Sequence, residues 1–561
     1  MPEWEARPDP ADRSQPDPAE PSPQPDPADR SQPDPAELSP QPDPADRSQP
    51  DPAGPSPQPD PAGPSPQPGR RSPTVRRVPL LVLIAGLLIV GGLVDRTGGA
   101  RVTPALTAQA VQPVPVAAPA AALSSSWFCA GATDSGSNPA AGHIAIANEG
   151  SATVTATVDV VGSNGSSADQ TVSVAPGAVT SVAETFPSGA PWTGAIIDAE
   201  GGMVAVSQVD DSALGRAVSP CATSGSRHWY LPAGQTRVNV SDTILLLNPY
   251  PTDSIVDMAF ATDQGSESPQ EFQSIDVPAD GLVAENLGDH LRRRQSIATT
   301  VTARTGNVVA WETEIVGPPP ANAPLVGTPA ANAATADPAS PDPGLAVTLG
   351  APSTGTSWTF PDGLSGNGID EQYLVYNPGP RSAAVRLSVG LEQGSAEPFQ
   401  ITVAPYSESS IVADKAARIP GGVPHTATLV STNGVPVVAA RTVAATKVAT
   451  GSVLRSGIGT LIGERLAALR WVVPVTATTA GHLGQVVVAN PGLQPVTVTV
   501  ADGNRRQSLT VPGGGRAAVG VPSEADQPVT VEGPAPVYVE YDLFGSGSTP
   551  GFSLATAVPL S

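Results

Sequence analysis

A tryptophan followed some twenty residues later by an asparagine that ends an apolar run occurs four times, and no other feature restricts the fold of this chain as much. The pairs are Trp127 with Asn148, Trp229 with Asn248, Trp358 with Asn377 and Trp471 with Asn490, spaced 21, 19, 19 and 19 residues apart. The tryptophans sit in "SWFCAG", "HWYLPAG", "SWTFPDG" and "RWVVPVT". The asparagines sit in "IAIANEGSATVTATVDVV", "ILLLNPYPTDSIVDMAF", "YLVYNPGPRSAAVRLSV" and "VVVANPGLQPVTVTV", each of which predicts a β-hairpin with Asn-Pro turn chemistry. A strand-proline-strand motif such as "LTVPGGGRAAV" follows, and then a closing pair such as "AIIDAEGGMVAVSQV". Four ordered landmarks in four copies mark an internal repeat.

Each copy holds about seven short strands with period-two alternation, the pattern of antiparallel sheets with one buried face. The expected fold is therefore an all-β ectodomain of four tandem β-sandwich repeats of broadly immunoglobulin-like type, at 124–223, 224–317, 350–446 and 468–561. A β-propeller-like assembly is the alternative, although a blade needs only four strands. A Pro/Ala-rich linker is expected over 318–349 and a connector over 447–467, where "GIGTLIGERLAALR" admits a short helix. On the first strand of each copy the tryptophan has two readings, a platform for a sugar ring or a core filler. Its recurrence at one position favours the core.

The segment ahead of the repeats is of another kind. Residues 1–77 read as a disordered Pro/Asp-rich tail in which Pro-Asp-Pro-Ala begins seven times, with almost nothing apolar to bury. Residues 78–94 carry no charge and follow Arg70, Arg71, Arg76 and Arg77, which predicts a transmembrane signal anchor with the tail on the cytoplasmic side. The rival, a cleaved signal peptide, places its small-residue site at Thr107–Ala110, far from the apolar run. Residues 95–123 read as a Pro/Ala-rich stalk holding the repeats outside the cell membrane.

A net charge of -23 excludes nucleic acid as a partner, because phosphate neutralisation needs a basic face. The two cysteines, Cys129 and Cys221, bracket the first repeat, and an oxidising compartment pairs them in a disulfide. Zinc hydrolysis has no support, since the five histidines are scattered and none stands in HExxH spacing. Neither a GxSxG elbow nor a phosphate-binding loop appears. The acidic loop Pro361–Glu371, with Asp362, Asn367, Asp370 and Glu371, admits a calcium site but lacks DxDxDG spacing, so turn chemistry is preferred. Asp210 and Asp211 form a carboxylate pair without an assignable role. No cofactor and no catalytic residue is expected.

The stretch 124–561 resembles an actinobacterial family of membrane-anchored proteins, the domain of unknown function 5719. The residues that carry the resemblance are "SSSWFCAGATDSG", the repeated "NP" turns and the closing strands around Val204, Val309, Val438 and Val537. It departs at Glu149, which replaces proline, and at Tyr538-Val539. The resemblance implies an envelope protein of high-GC Gram-positive bacteria. Together these readings lead to the expectation of a non-enzymatic, single-pass envelope protein whose β-repeats form an extracytoplasmic scaffold or binding surface. Envelope polysaccharide or envelope-assembly proteins are its expected partners. The alternative is an enzyme of envelope glycan processing with its site between repeats.

Overall fold

Alternating small or β-branched apolar residues need a second sheet to cover their buried face, and here they find one. In the computed structural model, residues 115–318 and 343–560 are described, except 393, 414, 452, 475–480, 504 and 522–526. Among them the regular elements are β-strands and three 3₁₀ turns, with no α-helix. No helix among the described residues is long and apolar enough to cross a membrane. The expected tail at 1–77, the span at 78–94, the stalk up to residue 114 and linker residues 319–342 lie outside the described residues.

The segment of Trp127 sets the plan. One antiparallel sheet holds Ser124–Thr133, Trp192–Glu200, Val154–Gly162 and Ser167–Val174, side by side in that order. The other holds Ala178–Ala183, Ala141–Asn148, Val204–Ser212 and Gly215–Pro220. Trp127, Ile144, Ile146, Val158, Ile197 and Val206 fill the space between them and are fully buried. Counted along the chain, the orders are 1-6-3-4 and 5-2-7-8. The strands that begin at His228, Ser357 and Ala468 repeat both orders. Their second sheets contain Val240–Asn248 with Val309–Val316, Ile369–Asn377 with Val438–Thr450, and His482–Ala489 with Val529–Gly545.

Several expectations change here. The immunoglobulin order, in which the second strand shares a sheet with the first, is not the order found. The Asn-Pro motif is not a hairpin either. Ala141–Asn148 and Val154–Gly162 belong to opposite sheets, so the turn is an arch that crosses the core. A proline next to the asparagine cannot donate to a ladder, and a connection longer than two residues does not impose hairpin register. The closing pair crosses in the same way. In the last segment one strand, Val529–Gly545, pairs with Trp471's sheet through Val529–Glu532 and with the opposite sheet through Tyr538–Gly545.

Each segment also has an eighth strand that the period-two pattern does not mark: Gly215–Pro220, Gly344–Leu349, Val453–Ile462 and Phe552–Thr556. The second of these starts inside the expected linker 318–349. The third lies inside the expected connector 447–467, where strand replaces the short helix. Small residues and β-branched Val, Ile and Thr make these runs poor helix formers, and neighbours cover them on both faces. The four strands lie against one another in a closed cycle, first to second to third to fourth and back to first. Leu349 N donates to Ser219 Oγ at 3.3 Å, Gly551 N to Ser456 O at 3.1 Å and Val218 N to Ser553 Oγ at 2.9 Å. A Cβ on Gly344 would stand 2.5 Å from Ile458 N, so this junction of the cycle has room only for glycine. The inward edge strands resemble a propeller's, but a second sheet backs each one.

The end of the expected stalk is tied down as well. Ala117 N donates to Pro559 O at 3.0 Å, and Met203 N donates to Ala118 O at 2.8 Å. Extended Pro/Ala backbone keeps its carbonyls, and most of its N–H groups, free for such bonds.

Candidate functional site

The recurring asparagines hold the arches. Asn148 donates from Nδ2 to Ala152 O (2.8 Å) and Val174 O (2.9 Å) and accepts from Gly150 N (2.9 Å). Asn248 bonds Thr252 O, Val277 O and Tyr250 N in the same pattern, and Asn377 bonds Arg381 O, Val403 O and Gly379 N. Asn490 repeats it with Gln494 O, Val511 O and Gly492 N. All four are buried. An arch leaves backbone groups outside any ladder, and one amide side chain satisfies three of them.

The recurring tryptophans lie in the cores. Trp229 Nε1 donates to Val308 O, Trp358 Nε1 to Val437 O and Trp471 Nε1 to Val537 O, each at the start of the seventh strand. Trp127 is as deeply buried, and its Nε1 has no partner. None of the four offers a face to a sugar. Beside each tryptophan the chain leaving the eighth strand pairs back, as Phe128 with Ala222, Tyr230 with Ala351, Thr359 with Glu464 and Val472 with Val558. Cys129 and Cys221 form a disulfide at the first of these junctions.

Charge gathers in the seam between the third and fourth segments. Arg441 on the seventh strand of the third reaches Glu540 on the seventh strand of the fourth and the carbonyl of Asp362. Glu371 Oε1 lies 3.7 Å from Arg441, and Glu371 Oε2 lies 3.0 Å from His425 Nε2. Tyr373 OH is 3.0 Å from the same nitrogen, and Arg516 Nη2 is 2.6 Å from Asp362 Oδ1. Burial opposes ionisation of Asp362, but Arg516 and Arg441 outweigh it and hold the carboxyl below its ordinary value. Burial raises Glu540 despite Arg441, and raises Asp542 further with Glu540 and Asp362 beside it. The acidic loop thus supplies Asp362 and Glu371 to an ionic seam. No group of His, Cys, Asp or Glu fit to hold a metal ion occurs among the described residues.

A family model described as "Family of unknown function (DUF5719)" matches residues 197–314. The matched stretch runs from the sixth strand of the first segment to the seventh of the second, and so includes Cys221, Trp229 and Asn248. No curated protein matches the chain. Among solved structures, "Crystal Structure of Thermotoga maritima 1070" aligns with 24% identity over 20% of this chain and 95% of its own. Its TM-score is 0.18, too low to carry an argument.

Within the DUF5719 stretch, Asp242, Glu312 and Glu314 crowd together. Burial pushes Asp242 up to about 7 and Glu314 up to about 8, while Glu312 rises well above its ordinary value through burial and the charge of Asp242. Gln235 bridges two of them, with N to Asp242 Oδ2 at 2.8 Å and Nε2 to Glu314 Oε1 at 2.6 Å. Asp210, also in the matched stretch, is raised by burial and by nearby Glu184. Its neighbour Asp211 points the other way, to Arg216 at 2.7 Å, so the sequence pair is split across the strand. Raised carboxyls are acid–base candidates when a substrate can reach them. Here Asp210, Glu184, Asp242, Glu312 and Glu314 are all sealed.

The open concavities are chemically different. One, with about 660 Å³ of space, lies where the eighth strands meet and is lined by Ser219, Leu349, Thr460, Thr556 and other uncharged residues. Another, about 1150 Å³, opens between the first and second segments and is also uncharged. A third holds Asp134 and Asp211 in a shallow dip. The sequence gives little sign of these places, because their walls come from turns and strand ends of different segments.

Proposed function

We propose that this is a non-enzymatic, single-pass envelope protein, anchored through residues 78–94, whose ectodomain is a binding scaffold for cell-envelope components. Four tandem β-sandwich repeats make up that ectodomain, and the cycle of eighth strands fixes them relative to one another. The observation that carries this reading is the separation of charge from access. The converging titratable groups are buried inside seams, whereas two of the open concavities present hydroxyl, amide and apolar surface. A scaffold needs rigid, varied surfaces, which this arrangement supplies. The disulfide fits an oxidising compartment outside the membrane.

The glycan-processing alternative draws on the four carboxyls Asp362, Glu371, Glu540 and Asp542 that converge at one seam. Arg441 and Arg516 occupy the positions from which such carboxyls would meet a substrate. Crosslinking in intact cells, followed by mass spectrometry, tests the scaffold reading by recovering envelope partners of the outer segments. Recovery of none, together with cleavage of envelope glycan by the purified protein, would sink it. Protease added to intact cells removes the β-segments and spares residues 1–77 if the orientation is right.

A further inference from the structure

We propose that the cleft between the first and second sandwich segments binds a neutral oligosaccharide, an inference that rests on the scaffold reading and gives it a ligand class. One wall is Trp192, which begins the sixth strand of the first segment. It packs against the core with part of its indole and leaves the rest facing the cleft. It is the only tryptophan among the described residues that is not fully enclosed. The loop after the first strand adds Asn138. The opposite wall comes from the second segment, with Asn239, Ser241 and Thr243 on or beside its second strand and Asn286 at the end of its fifth.

Two features of that wall point to an absent partner. Asn239 has a left-handed backbone (φ 66°), and its side-chain Nδ2 is buried without a hydrogen-bond partner. Thr243 is 1% exposed, and its Oγ1 likewise has none. Buried polar groups are normally satisfied, and both residues line this one cleft, where a polar ligand would be placed to satisfy them. Asn286 is already set, with Oδ1 accepting from Gly288 N at 2.9 Å and Nδ2 donating to Ser241 Oγ at 3.0 Å. That bond leaves the Ser241 hydroxyl proton free to donate.

The ligand class follows from the lining. An indole face and the side chains of Val240 and Ile315 match the C–H face of a pyranose, while amides and hydroxyls match its equatorial hydroxyls. No lining residue is charged, which disfavours an anionic polymer. The seam between the third and fourth segments differs beside its tryptophan. Asp362 there, like Gly131 here, stands four residues after its tryptophan. Asp362 projects into the ionic seam, whereas Gly131 offers only its carbonyl, 3.4 Å from Thr313 Oγ1.

Isothermal titration of the full-length chain with chitotriose, mannotriose and maltotriose tests the site, with trigalacturonic acid as the charged comparison. At least one neutral sugar is expected to bind, and Trp192→Ala to weaken it by roughly tenfold or more. Asn239→Asp, which keeps the left-handed backbone accessible, is expected to weaken it as well. Trp192→Phe retains part of the binding and controls for folding. The proposal is overturned if none of the three neutral sugars binds at millimolar concentration, if trigalacturonic acid binds more tightly, or if Trp192→Ala and Asn239→Asp bind like the parent. Crosslinked partners recovered from cells alongside any of these results would leave the scaffold reading standing without this cleft.

Discussion

Replacing Arg441 by methionine is the sharpest probe of how the segments are held together. The side chain is 1% exposed and is engaged by Glu540, Glu371 and the Asp362 carbonyl at once. Methionine roughly fills the same tube of space but leaves two carboxyls buried without their cation. Breaking a buried ion pair from one side costs about 3–5 kcal/mol, most of it from the charge left behind. That penalty predicts a second signature. Burial already raises Glu540, so protonation relieves part of the damage, and the deficit is smaller at pH 5 than at pH 8. Removing the stranded charge as well, in Arg441→Met/Glu540→Gln, returns at least half of the loss, roughly 2 kcal/mol. Arg304→Met serves as the control. Its partner is Asp257, its side chain is 52% exposed, and its loss costs under about 1 kcal/mol. Urea unfolding, read by hydrogen exchange in strands Val438–Thr450 and Val529–Gly545, measures all four proteins. A single-mutant loss below about 1 kcal/mol, or a double mutant no better than the single, would refute the seam as an ionic lock.

The remaining predictions concern single features. Asp242, Glu314 and Glu408 have folded values of about 7, 8 and 8 against ordinary values of 3.8, 4.5 and 4.5, so their contribution is fully present below about pH 4 and is lost as pH rises to 7–8. The urea midpoint is therefore higher at pH 5 than at pH 8, and Asp242→Asn with Glu314→Gln flattens the difference. Asp362 has the opposite sign, but its contribution is lost only as pH falls below its ordinary 3.8. Cys129→Ser/Cys221→Ser opens a connection of 92 residues and costs roughly 4–5 kcal/mol in the chain-entropy model, read as a lower thermal midpoint of the first segment under non-reducing conditions. Asn490→Ala leaves Val511 O and Gln494 O without their donor and lowers stability by about 1–3 kcal/mol, whereas a change at exposed Leu493 in the same arch leaves denaturation unaltered.

Much of this was legible in the chain. The Trp and Asn landmarks mark core and turn, and both are buried at matching places in each segment. Cys129 and Cys221 were readable as a pair because no other thiol competes. Pairing was harder to read. Local sequence shows that a strand ends at Asn148, but whether the chain returns beside itself or crosses the core depends on partners such as Val204–Ser212, which lie more than fifty residues away. Eighth strands such as "GRAVSP" carry no period because both faces are covered. Asp362 and Glu371 read as a turn-rich acidic loop, and only the fold brings Arg441 and Arg516 to them. Trp192 stood outside the repeating pattern and so drew no notice, although that irregularity is what separates it from the four core tryptophans.

The cycle of eighth strands also sets an order of events during synthesis. Phe552–Thr556 lie against Gly215–Pro220, made more than three hundred residues earlier. Leu560 likewise pairs with Ala117, ahead of the first strand. Each segment has its own paired sheets, but the junctions between first and fourth wait for Phe552–Thr556. A chain cut short would present the edges of Gly215–Pro220 and Val453–Ile462 unmatched, which are ready targets for a protease or for pairing with another chain.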